Sequence, residues 1–212
     1  MLPKKLFTPK CLHIDRDVVF REDLLSFYKY VLHNLSQEVE SDDMKSMLSV
    51  LDYKKYKKYY NDKKISMLHF SKSKEENNKE YYEVLFGEIQ MLMFEKNFAL
   101  IFKILSIFTL YSIYYTQTTD YFYQINTIPE ILNDINWLIC NIQEYHKLRT
   151  EIIFMVNRMY KDDAFSIGCV IGLNTIILNK YGLPLELKMN TFNDYMDINN
   201  ASKNLQNYEN KS

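Results

Sequence analysis

Only four glycines and four prolines occur among the 212 residues, and that scarcity is the tightest constraint on the fold. Sandwiches and barrels turn the chain about every 8–12 residues and lean on Gly, Pro, Asn and Asp at those turns. A chain with so little backbone punctuation suits helices joined by few turns. Hydrophobic residues supply 47% of it and aromatic residues 15%, enough to build a sizeable core. The expected fold is all-α, a single irregular domain of about six or seven helices. It should span residues 15–187, after an N-terminal arm at 1–14 and before a polar, Asn-rich tail at 188–212 that is expected to be disordered.

Apolar residues at helical spacing (Val18, Val19, Leu24, Leu25, Tyr28, Val31, Leu32, Leu35) predict a first helix capped by Asp15 or Asp17. Ser41 is the expected cap of a second, which runs through Met44, Met47, Leu48 and Leu51 and continues into Tyr53–Tyr60. The polar stretch 61–79 reads as a surface loop. A helix over 81–94, with Leu85, Ile89, Leu92 and Met93 inward, leads into another over 98–117. Thr127, Pro129 and Glu130 resemble a helix start, opening a run through Ile131, Leu132, Ile135, Trp137, Leu138 and Ile142. Two further helices are expected, over 148–160 and 163–181, the second stopped by Gly182 and Pro184.

Phe98–Tyr115 is apolar nearly all round and about long enough to span a bilayer. Lys103 at its middle favours the other reading of such a helix, the centre of a bundle. Met1–Cys11 is basic without an apolar core, so no secretory signal is read there. Three widely spaced cysteines (Cys11, Cys140, Cys169) suit a reducing compartment. The four histidines and the cysteines fall in no metal-site or nucleophile pattern, and no glycine-rich phosphate loop occurs. Neither catalysis nor a cofactor is therefore expected. Asp162-Asp163 reads as an acidic pair at the start of the last helix, where the helix dipole favours it.

One run carries chemistry despite a net charge of only −1. Tyr53–Lys64, YKKYKKYYNDKK, interleaves six lysines with four tyrosines. On a helix, Lys54, Lys55, Lys57 and Lys58 fan around one side and Tyr53, Tyr56 and Tyr60 lie nearer the other. Together with Lys63 and Lys64 these lysines could contact DNA phosphates through charge and counterion release. The same run could act as a nuclear import signal, or simply be a solvated helix face.

Phe108–Gln117 contains Leu110, Tyr111, Tyr114, Thr116 and Gln117 as a Leu-Tyr-x-x-Tyr-x-Thr-Gln motif at the end of an apolar helix. This resembles the first subunit of the small nuclear RNA-activating protein complex (SNAPc). Asp17–Leu24, Pro129–Trp137 and Arg158–Phe165 are similar to further blocks of that family, in the same order. The resemblance implies a nuclear, non-enzymatic subunit that binds a Myb-repeat subunit and a zinc-containing subunit. Through the complex it would serve promoter DNA of small nuclear RNA genes and RNA polymerase II or III. The partner-binding residues it implies are Leu110, Tyr111, Tyr114, Tyr115, Thr116, Gln117, Trp137, Arg158 and Phe165. Which aromatics are core and which face a partner stays open, Trp137 included. The alternatives are a helical adaptor of another assembly and a membrane protein spanning at 98–115.

Overall fold

The computed structural model describes residues 9–72, 77–95 and 98–168, with side chains from residue 19 onward. The described residues all belong to one compact unit. Its elements are α1 (Pro9–Val39), α2 (Met44–Val50), α3 (Tyr53–Asp62), a 3-10 helix (Ile65–Phe70), α4 (Asn78–Phe94), α5 (Leu100–Tyr115), β1 (Ile125–Thr127), α6 (Pro129–Asn141), α7 (His146–Lys161) and β2 (Phe165–Ile167). The all-α expectation holds. The helices carry the unit, and the two three-residue strands form one small parallel pair.

Helix α5 is the axis. Every side chain from Lys103 to Tyr114 is buried, because α1, α3, α4, α6 and α7 pack around it. That is why the segment is apolar on all sides. Among the described residues, no helix is long and apolar enough to cross a membrane. Lys103 fits this interior because its ammonium is answered there: Nζ donates to the Met93 carbonyl at 2.6 Å and lies 3.5 Å from Asp134 Oδ2.

Thr109 ties three helices together on the axis. Its hydroxyl donates to the Leu105 carbonyl (2.7 Å) and accepts from the Tyr28 and Tyr56 hydroxyls at 3.1 and 2.9 Å. One donor and two lone pairs are thereby all used. Burial pushes the Tyr28 phenol up to about 12 and the Tyr56 phenol well above its ordinary value, so both remain donors.

Several boundaries differ from the sequence reading, each for a local reason. Asp15 and Asp17 lie inside α1, which starts earlier, and Val19 is 52% exposed because Phe20 takes the inward position. Asp43, not Ser41, caps α2, its carboxylate accepting from the Ser46 amide at 3.0 Å. Asp52 then interrupts the expected continuous helix by capping α3 at the Lys55 amide, 2.8 Å. The 61–79 stretch contains a 3-10 helix, since Leu68 and His69 turn inward. Thr127 belongs to β1, so Ile128 is the cap residue and Pro129 opens the first turn of α6.

The largest correction concerns 163–167. Asp162-Asp163 does not start a helix but ends α7. The Asp163 amide bonds the Tyr160 carbonyl (3.2 Å) and the Ala164 amide the Met159 carbonyl (2.9 Å), a Schellman ending with Asp163 left-handed at φ 50°. Phe165, Ser166 and Ile167 then pair with Ile125, Asn126 and Thr127. The expected helix beyond residue 168, its stop at Gly182 and Pro184, the 188–212 tail, Cys169 and most of the 1–14 arm lie outside the described residues.

Candidate functional site

Helix α3 presents the basic run as the spacing predicts. Its start is fastened to α7: the Tyr53 amide donates to Glu151 Oε2 at 2.8 Å, and Lys147 Nζ reaches Asp52 Oδ2 at 2.5 Å. Tyr56, Tyr59 and Tyr60 are buried, and Tyr53 stacks on Tyr56 with centroids 5.9 Å apart. Phe27, edge-on, and Phe108, tilted, close the same seam, their ring centroids 5.7 and 5.3 Å from that of Tyr56. With the tyrosines held inward, Lys54, Lys57, Lys58, Lys63 and Lys64 are exposed. Lys55 differs, being half-buried and paired with Glu38. Lys63 lies 4.0 Å over the Tyr30 ring. The result is a ridge of ammonium groups on a rigid aromatic base.

The Leu-Tyr-x-x-Tyr-x-Thr-Gln run occupies the end of α5, and most of it is interior. Leu110, Tyr111, Tyr114 and Gln117 are buried by the chain's own elements. Gln117 staples the following loop: its amide donates to the Tyr114 and Tyr123 carbonyls (3.2 and 3.1 Å), and its oxygen accepts from the Tyr123 amide at 2.8 Å. Arg158 lies along the rim, donating to the Tyr111 hydroxyl at 3.1 Å and resting 4.6 Å over the Tyr115 ring. The Tyr115 hydroxyl donates to Asp162 Oδ2 at 2.6 Å. Tyr115, Thr116 and Arg158 thus reach the surface, while Leu110, Tyr111, Tyr114 and Gln117 do not. Phe165, half-buried on β2, lies 5.1 Å from Tyr160 and apart from this cluster.

Thr116 has a partner that its motif does not reveal. Its hydroxyl donates to the Ser112 carbonyl (2.7 Å), so it can only accept from His69 Nε2 at 2.8 Å. Nε2 then carries the proton, and Nδ1 accepts from the Tyr82 hydroxyl at 2.9 Å. Burial pushes His69 down to about 4 from an ordinary 6.5. Because the unfolded chain takes up this proton first, stability is full above about pH 6.5. It should be lost as pH falls towards about 4. Thermal unfolding of the His69→Gln variant should show a flatter acid slope than the native chain over that window.

The third feature is Trp137, the single tryptophan. It stands 52% exposed on α6, opposite the face formed by Ile131, Ile135 and Leu138. It borders a notch of about 310 Å³ lined by Phe94, Phe98, Leu100, Lys103 and Asp134. Among the described residues no group of three His, Cys, Asp or Glu side chains could hold a metal ion. Taken together, these surfaces are suited to attracting phosphates and seating apolar side chains.

A model of the family described as small nuclear RNA activating complex (SNAPc), subunit 1, matches residues 29–210. No curated protein and no solved structure matches the chain.

Proposed function

The chain belongs to the family of SNAPc subunit 1, and from that premise we propose that it is a non-enzymatic nuclear scaffold. In this reading it bridges a Myb-repeat DNA-binding subunit and a zinc-containing subunit at promoters of small nuclear RNA genes, for RNA polymerase II or III. The α3 ridge assists by contacting promoter phosphates from within the complex.

The observation that best supports the scaffold reading is Trp137. A half-exposed tryptophan beside a notch lined by Phe94, Phe98 and Leu100 together with Lys103 and Asp134 has the character of an interface anchor, since it can bury a large area at low entropic cost. The motif residues divide accordingly. Leu110, Tyr111, Tyr114 and Gln117 shape the scaffold from inside, and Tyr115, Trp137 and Arg158 are the candidates for direct partner binding. Thr116 acts through His69, and Phe165 through the strand pair.

Trp137→Ala tests this. The loss of an exposed ring should change folding stability by about 1 kcal/mol or less. Recovery of partner subunits with the tagged chain should fall roughly 30-fold, as for an interface hot spot. Because no other tryptophan is present, a blue shift of its emission on adding the purified partner gives a direct second readout. Undiminished recovery, with emission unmoved, would contradict the assignment.

A further inference from the structure

Beside the stapled loop at the end of α5, away from the α3 ridge and the Trp137 notch, lies a cleft of about 720 Å³. Its lining includes the rings of Tyr114, Tyr121, Phe122 and Tyr123 and the side chains of Asp162 and Asp163. We propose that this cleft receives an arginine-bearing segment of a partner protein, the guanidinium lying against the aromatic rings and pairing with Asp162 and Asp163.

The aromatic surface is held out to solvent rather than left loose. Tyr121 and Phe122 are 66% and 51% exposed. Even so, Tyr121 bonds the Tyr123 hydroxyl at 2.9 Å, Phe122 packs 5.5 Å from Tyr114, and Tyr123 stacks 5.4 Å from Tyr82. Gln117 fixes the loop backbone beneath them. A platform ordered in advance loses little entropy when a ligand arrives.

Charge then selects the occupant. Three carboxylates and one ammonium line the cleft, and the ammonium, Lys79, lies 3.8 Å from one of the three, Glu83. At the α7 ending Asp162 already holds the Arg158 guanidinium, Nε 3.8 Å away, and the Tyr115 hydroxyl, which leaves Asp163. Asp163, exposed and left-handed at φ 50°, has no ion pair among the described residues. Burial raises the Tyr114 phenol, and the charges of Asp162 and Asp163 add to the shift. The chain itself shows how a guanidinium sits in such surroundings: Arg158 rests 4.6 Å over Tyr115 with Nε 3.8 Å from Asp162. A planar, forked cation suits ring faces and paired carboxylates better than the compact ammonium of lysine.

The surface is separate from the α3 ridge and from Trp137 and adjoins Tyr115 and Arg158 through Asp162, so a peptide test reads the cleft independently of partner recovery. Its test uses the full-length chain and a fluorescein-labelled nonapeptide of alanine and leucine with one central arginine, followed by anisotropy. The arginine peptide should bind saturably, its lysine counterpart on the order of tenfold more weakly, and its glutamate counterpart not at all. Asp162→Asn with Asp163→Asn should weaken the arginine peptide by on the order of tenfold or more, and so should Phe122→Ala. Asparagine tolerates the φ of 50° at 163 and still accepts from Tyr115 at 162, so the melting temperature should stay close to native. The Lys54→Glu/Lys57→Glu/Lys58→Glu chain should bind the peptide undiminished. The inference is overturned if the full-length chain does not bind the arginine peptide, if it binds the glutamate peptide equally well, or if the asparagine variant binds like the native chain.

Discussion

Tyr56→Ala is expected to cost the fold about 3–5 kcal/mol, while Lys57→Ala, one residue on, should stay within about 0.5 kcal/mol. Tyr56 is fully buried and its ring meets Phe27, Tyr53, Tyr60 and Phe108. Its hydroxyl fills one of the two lone pairs of Thr109 on the central helix. Removing the ring opens a cavity among rigid aromatics that cannot easily collapse into it. Tyr56→Phe separates the two contributions, since it keeps the ring and should cost only about 1 kcal/mol for the missing hydrogen bond. Urea unfolding with unchanged slope reads all three differences. A Tyr56→Ala cost near that of Lys57→Ala would mean that α3 does not turn its tyrosines inward, and the outward lysine ridge would fail with it.

The second large effect belongs to that ridge. Charge reversal at Lys54, Lys57 and Lys58 in the assembled complex should weaken promoter binding. It should also flatten the dependence of log K on log salt by about 3, close to one for each phosphate no longer neutralised. Lys55 is left out because Glu38 already holds it, so reversing it would place two carboxylates together and confuse folding with binding. Filter binding or anisotropy on promoter DNA from low to moderate salt measures both quantities. An unchanged affinity and slope would show the ridge to be a solvated face and nothing more.

The two faces of α3 were legible because lysine and tyrosine alternate there at helical spacing, and the pattern needs no distant partner to be read. The same holds for α4, where Leu85, Ile89, Leu92 and Met93 all turn out buried. Helix α5 was readable as central from its all-round apolarity. The carbonyl and carboxylate that satisfy Lys103 come from other elements and leave no local trace. The strand pair was invisible for a similar reason: β1 and β2 have three residues each, too few for any periodicity, and they meet across two intervening helices. Asp163 hid the end of α7 because the left-handed position usually held by glycine carries a carboxylate.

Within the candidate site, the Tyr and Gln of the α5 motif could be found in sequence but not assigned. Burial depends on what closes over them, Tyr53 of α3 beside Tyr111 and the loop that Gln117 fixes beside Tyr114, which is a property of the fold rather than of the motif. His69 carried no signal, since a single histidine in a polar stretch looks like surface until Tyr82 and Thr116 are seen on either side. Trp137 did carry one: two residues beyond Ile135, it falls on the opposite side of an amphipathic helix.

Affinity purification of the tagged full-length chain from nuclear extract, with mass spectrometry of what it retains, tests the scaffold role most directly. Recovery of a Myb-repeat protein together with a zinc-containing partner, in a complex that retains small nuclear RNA promoter DNA, is the result expected of a SNAPc subunit. Recovery of an unrelated helical assembly, or of membrane components, would contradict that role and leave only the helical fold and the family membership standing.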